Sequence, residues 1–267
     1  TAHRKMTVVD MHCDALLSNR DLLARGRRGH VDVPRLKEGN VALQFFSIPT
    51  LAPVRAGIPW LPVELDAMKW LLAAEGWPKK ALCSTFERVI YGAELLRDLE
   101  ARSEGLFHII QSVPQLDAFL AARTENPNLT AGVLGVEGLH SLEGRPENLD
   151  AFYDAGVRTA GLVHLGGNDL GGSAHGRQQG GLTTFGETVL RRMEEKCMLV
   201  DLAHASPRLI SDILDHAARP VVISHTGLKG AFNNERNISD AHAVKIAEQG
   251  GLIGIAYFPW AIGPCTV

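Results

Sequence analysis

Imidazoles and carboxylates stand where short apolar runs stop. The run ending at Met11 is followed by His12 and Asp14, the run ending at Val136 by Glu137, and the runs ending at Val163, Ala203 and Ser224 by His164, His204 and His225. These are the side-chain types that ligate divalent cations or move protons. His12 and Asp14 lie two apart, so on an extended backbone both leave the same face and can converge on one ion. Such a pair alone is common by chance; its place directly after the opening run gives it weight. Glu137 would face an interior, where an unpaired charge is costly and a cation compensates it. A lone buried histidine is usually a satisfied imidazole, but His204 and His225 end consecutive runs, which favours metal binding.

Counting donors suggests a stoichiometry. Two histidines and one glutamate suffice for one catalytic zinc with an open position. His12 and Asp14 are then surplus, and a second ion with Glu137 as bridging carboxylate uses all five. Two ions about 3.5 Å apart would hold a hydroxide between them and polarise a carbonyl oxygen, which points to hydrolysis of an amide or a related bond. The mixed imidazole and carboxylate set suits two Zn2+ per chain, with other divalent metals compatible.

The elements that must position these residues read as repeated βα units. Strands are expected at Thr7–Met11, Val41–Phe46, Ala131–Val136, Val157–Val163, Met198–Ala203, Pro220–Ser224 and Gly251–Tyr257. Most are apolar without clean alternation, as in strands covered on both faces. Helical patterns lie between them at Pro62–Glu75, Thr85–Arg102, Pro114–Arg123, Pro146–Ala155, Phe185–Lys196, Pro207–Ala217 and Asp240–Glu248, with Ser206 and Ser239 as N-caps. The place after the first strand holds Met11-His12-Cys13-Asp14 rather than a glycine-rich dinucleotide loop. The expected fold is therefore an α/β (β/α)8 barrel of TIM type, whose strand C-termini carry the chemistry.

Composition narrows the partners. The 267 residues include 27 Lys+Arg and 30 Asp+Glu, a formal net charge of −3, which gives no footprint for nucleic acid or an anionic membrane. The longest apolar stretch, Gly251 to Gly263, contains Pro259 and is too short for a transmembrane segment. The four cysteines Cys13, Cys83, Cys197 and Cys265 match neither a disulfide framework nor a metal motif and read as free thiols. No linker or repeat divides residues 1–267, so one domain is expected. The N-terminus shows no secretory signal, and a cytoplasmic location is the expectation, with a leader removed earlier left open.

With these residues in view, the sequence resembles the membrane dipeptidase (renal dipeptidase-like) family of metallopeptidases, in the amidohydrolase-type barrel group. The matching segments are Val9 to Asp14, Gly135-Val136-Glu137-Gly138, Leu162-Val163-His164, Gly181-Leu182-Thr183 with Phe185-Gly186, Val200 to Ser206, Ile223-Ser224-His225 and Arg236-Asn237, in the family's order. The resemblance implies a binuclear zinc dipeptidase acting on dipeptides with a free C-terminal carboxylate, with a metal-bridging hydroxide as nucleophile. It implies that His12 and Asp14 bind the first zinc, His204 and His225 the second, and Glu137 both. His164 would contact the substrate and the developing oxyanion, and Arg236, with Asn237 beside it, would hold the substrate's carboxylate. A guanidinium is the preferred bidentate partner for that group. A homodimer is compatible with this reading.

The family's barrel also has an eighth strand near the C-terminus, leading to an Asp that handles the proton of the bridging water. No Asp follows Gly251 in this sequence. The C-terminal part of the barrel is accordingly expected to lie outside residues 1–267. The alternatives are another amidohydrolase acting on a lactam, lactone or N-acyl amino acid, or a catalytically inactive metal-binding homologue. His140 and His175 are placed in loops after strand ends, and Asp201 as a structural hydrogen-bond acceptor. Trp60, Trp70, Trp77 and Trp260 read as packing anchors, with Trp60 a candidate cover for the site.

Overall fold

The computed structural model describes residues 2–55, 64–175 and 179–263. Its strands are β1 (Val8–Cys13), β2 (Val41–Pro49), β3 (Pro53–Arg55), β4 (Glu64–Asp66), β5 (Phe107–Ile109), β6 (Thr130–Glu137), β7 (Val157–Gly161), β8 (Leu199–Asp201), β9 (Val222–Thr226) and β10 (Leu252–Ile255). The seven expected strands form one parallel sheet in the order β1-β2-β6-β7-β8-β9-β10. β2 and β6 pair from Leu43–Ala131 to Pro49–Glu137, which fixes the height of Glu137 at the sheet's C-terminal edge. The sheet curls into a nearly closed barrel of TIM type, with β1 also approaching β9. Between β1 and β10 runs an open groove of about 740 Å3 lined by His12, His225 and the apolar Val9, Leu252 and Ile255.

Two strand assignments go beyond the sequence reading. β5 adds a short parallel strand beside the first half of β6, pairing Phe107–Thr130 to Ile109–Gly132, before β7 begins its own pairing at Leu134. Three residues are too few for a periodic pattern to show. The expected helix from Pro62 starts only at Ala67, because 64–66 pairs antiparallel with 53–55 as a hairpin.

The helices are α1 (Val33–Glu38), α2 (Ala67–Ala74), α3 (Lys79–Cys83), α4 (Thr85–Arg102), α5 (Val113–Glu125), α6 (Asn148–Asp154), α7 (Thr184–Glu195), α8 (Pro207–His216), α9 (Asp240–Glu248) and α10 (Pro259–Ile262). Both expected serine caps are made: Ser206 accepts the Leu209 amide and Ser239 the His242 amide. α8 buries Leu209, Ile210, Ile213 and Leu214 against the barrel, the apolar stripe that a 3.6-residue period creates. The main core runs from Leu16 through Phe46, Leu134, Val163, Val200 and Ile223 to Ile246.

Arg88 on α4 is fully buried. It donates to the carbonyls of Ala81 and Thr50 and pairs with Asp66 at 2.6 Å. It thereby ties the end of β2 to α3 and to the hairpin. Trp77 is the expected anchor, buried with its indole N–H on the Leu17 carbonyl. Trp70, expected as another, is 67% exposed instead, because it lies on the outer face of α2. Cys13, Cys83 and Cys197 are free. Trp60 and Cys265 fall outside the described residues, and Trp260 is described by its backbone alone.

Candidate metal centre

Strand ends deliver each side chain to one place. β1 carries His12, β6 ends at Glu137 and β9 carries His225, while His164 and His204 each follow a strand end by three residues. His204 has φ +65°, a left-handed backbone that costs about 1 kcal/mol or more in a non-glycine residue. It is held there by its carbonyl, which accepts the Ala174 amide at 2.8 Å. Gly138 has φ +88°, and a Cβ there would lie 2.8 Å from His140 Nδ1 and 3.0 Å from His164 Cβ. Only glycine lets Glu137 and His164 sit side by side.

Four imidazoles surround the Glu137 carboxylate. His204 Nε2 lies 2.8 Å and His225 Nε2 3.5 Å from Oε1, His12 Nε2 3.9 Å from Oε1, and His164 Nε2 3.3 Å from Oε2. His204 Nε2 and His225 Nε2 are 3.2 Å apart, and the His12 and His225 rings stack at 3.8 Å. Ligand atoms gather into two groups, His12–Glu137–His225 and Glu137–His164–His204. Glu137 belongs to both. Asp14 stands at the rim, 48% exposed, with Oδ1 3.3 Å from His12 Nε2.

The electrostatics ask for positive charge at Glu137. Burial opposes ionisation of Glu137, yet His12, His164 and His204 outweigh it and hold the carboxyl well below its usual range. For His12 burial also opposes charge, but Glu137 and Asp14 raise its pKa to about 9. Burial pushes His204 down to about 3, and burial with His12 beside it lowers His225. Neutral His204 and His225 thus bring their Nε2 atoms close to one another and to the same carboxylate oxygen.

The residues present fit a divalent cation. His164 Nδ1 lies 3.0 Å from the Leu51 carbonyl and His225 Nδ1 2.8 Å from the Ser224 hydroxyl. Such partners fix a metal-ligating imidazole by its second nitrogen. Crowded, buried imidazole nitrogens around one carboxylate are the donor set that zinc takes.

Arg236 is buried beside the cluster. Its Nη2 donates to the His225 carbonyl at 2.7 Å and lies 3.5 Å from His204 Nε2. Asn237, expected to touch substrate, is engaged elsewhere: both amide protons go to the carbonyls of Phe232 and Ala261, and Oδ1 accepts the Gly227 amide. It braces the loop that carries Arg236. Asp201 accepts the amides of Ala203 and Ser224 at 2.9 Å each, the structural role its sequence position suggests. His175 also reaches the centre, with its ring 5.2 Å from that of His204, and both ring nitrogens of His140 are buried without a hydrogen-bond partner among the described residues. Burial and then the neighbouring His164 push His140 down to about 4. Their loop positions carry no spacing pattern that would single them out.

The chain is 28% identical over 265 residues to mouse dipeptidase 3, covering 94% of this chain and 47% of that one. It is 27% identical over 239 residues to a Schizosaccharomyces pombe protein named an uncharacterized dipeptidase, covering 88% and 54%. The chain thus spans about half the length of these curated relatives. A metallopeptidase of Rhodobacter sphaeroides, solved with a phosphinate mimic of the dipeptide L-Ala-D-Ala, shares the fold with a TM-score of 0.70 at 21% identity, over 94% of this chain and 73% of that one. The family model described as membrane dipeptidase (peptidase family M19) matches residues 1–264, and the chain belongs to that family.

Proposed function

We propose that this chain carries the metal centre of a dipeptidase that cleaves dipeptides with a free C-terminal carboxylate. The observation that supports this most is the buried Glu137, shared by two imidazole groups, with the Arg236 guanidinium beside them. The family membership and the relatives named dipeptidases support the same reading.

His12, Asp14, Glu137, His204 and His225 would hold two Zn2+ or similar ions, with Glu137 between them. When bound, such a pair supplies a water ionised near neutral pH and a Lewis acid for the scissile carbonyl. The chain's own residues do the rest. His164, oriented by the Leu51 carbonyl, presents Nε2 at the same centre and is assigned the contact to the substrate's oxygen as charge develops there. Arg236 is held by the His225 carbonyl and braced through Asn237, so its remaining N–H groups are preorganised for a carboxylate. The fixed distance from guanidinium to metal centre would select a free C-terminus one residue beyond the scissile bond. The site would accept a D-residue at that position, a reading supported by the phosphinate mimic of L-Ala-D-Ala bound by the Rhodobacter metallopeptidase.

The test is turnover of dipeptides by the purified, zinc-loaded protein and its His204→Ala variant. The account expects hydrolysis by the parent and a loss of at least about a hundredfold in the variant. Equal turnover by the two would overturn it.

A further inference from the structure

The segment Ser173-Ala174-His175 is tied to two site histidines at once. The fully buried Ser173 donates its hydroxyl to the His164 carbonyl and accepts the His175 amide at 3.2 Å. The Ala174 amide donates to the His204 carbonyl, and Ser173 bridges to Ala205. Any side chain on this segment is therefore positioned against the metal centre by backbone contacts rather than by a free loop.

His175 is that side chain. Its ring lies 5.2 Å from the His204 ring at an interplanar angle of 54°. Its Nδ1 is 3.8 Å from Glu235 Oε1, beyond hydrogen-bond reach. Its Nε2 is buried and has no hydrogen-bond partner among the described residues. A buried nitrogen left unpaired is destabilising, and its retention calls for an explanation. The imidazole and the Arg236 guanidinium both lie beside His204, the one with its ring 5.2 Å from the His204 ring and the other with Nη2 3.5 Å from His204 Nε2.

The carboxylate proposed to sit there has more capacity than Arg236 can fill. Nη2 is already engaged with the His225 carbonyl, whereas a carboxylate offers about four lone-pair positions. We propose that His175 is a further specificity-determining residue, whose Nε2 hydrogen-bonds the same substrate carboxylate that Arg236 binds. This rests on the dipeptidase reading above.

The experiment measures kcat, KM and metal content for the parent, His175→Ala and His175→Gln, on one dipeptide and on its C-terminal amide. His175→Ala should raise the KM for the dipeptide about tenfold, the effect of one hydrogen bond to a charged group. The preference for dipeptide over amide should fall by the same factor, while kcat and bound zinc hold. His175→Gln, which keeps a donor near the Nε2 position, should recover most of the loss. An equal effect on dipeptide and amide, an unchanged KM, or loss of zinc would overturn the assignment. If the parent hydrolyses neither compound, the dipeptidase reading fails by itself. Calorimetric titration with D-alanine against D-alaninamide then decides His175: a carboxylate preference that His175→Ala abolishes upholds the assignment, and any other result removes it.

Discussion

The Ser224 hydroxyl sits 2.8 Å from His225 Nδ1, and Ser224 is itself fixed through its amide to the half-buried Asp201 carboxylate. This chain of contacts leaves His225 Nε2 facing the centre. Removing such an outer partner usually weakens metal binding 10- to 100-fold. Ser224→Ala should therefore lower zinc affinity by about that range, read by competition with a chromogenic chelator; an unchanged affinity would show that the hydroxyl does not orient the ring. Arg236→Lys tests the proposed carboxylate site, because an ammonium cannot reproduce a planar fork. The expected outcome is a KM raised about tenfold with kcat nearly kept, and a loss confined to kcat would contradict it. At this scale the sequence was informative where ligands follow strand ends. The resemblance pairs His12 with Asp14 and His204 with His225, whereas the ligand atoms gather as His12–Glu137–His225 and Glu137–His164–His204, with Asp14 in neither group; separations of tens of residues say nothing about which rings meet. The role of Asn237 escaped for a similar reason: its partners Phe232 and Ala261 lie on different segments.

Among the elements, the hairpin of β3 and β4 and the end of β2 depend on a single buried cation. Arg88 bonds the Thr50 and Ala81 carbonyls and pairs with Asp66, which also caps α2 by accepting the Met68 amide. Arg88→Met would leave Asp66 and two carbonyls without their partner, a change that typically costs about 3–5 kcal/mol. A urea titration should show that loss, and a variant within about 0.5 kcal/mol of the parent would mean water replaces the guanidinium fully. The strands were legible because Val, Ile, Leu and Phe run together in them; the capped α8 and α9 were legible because Ser206 and Ser239 precede them. β5 and the hairpin were not, since three-residue strands depend on which neighbour is available rather than on their own pattern.

For the molecule as a whole, buried neutral histidines set the response to acid. Burial lowers His140 to about 4 and His204 to about 3, and burial with the neighbouring His12 also lowers His225. In the unfolded chain these side chains take up protons near 6.5. From about pH 6.5 downward the unfolded state binds more protons, so stability falls with falling pH. His12, raised to about 9, acts oppositely: its contribution is complete below 6.5 and fades as pH rises through 9. Burial also lowers His175 and His242, and with these five histidines against His12 the metal-stripped protein should unfold at lower urea concentration at pH 5 than at pH 7. An equal or higher midpoint at pH 5 would contradict this balance. The barrel type followed from alternating strand and helix patterns, and a gap from the expected absence of an eighth strand, whereas the place of the groove between β1 and β10, beside His12 and His225, became visible only once the strands were placed.

The proposed metal centre depends on Glu137 acting as a carboxylate shared between two cations. Elemental analysis of the purified, dialysed protein and of Glu137→Gln tests that claim most directly. The account predicts about two zinc-class ions per chain in the parent and a loss of at least one in the variant. Fewer than one ion per chain in the parent, or an unchanged content in Glu137→Gln, would contradict it.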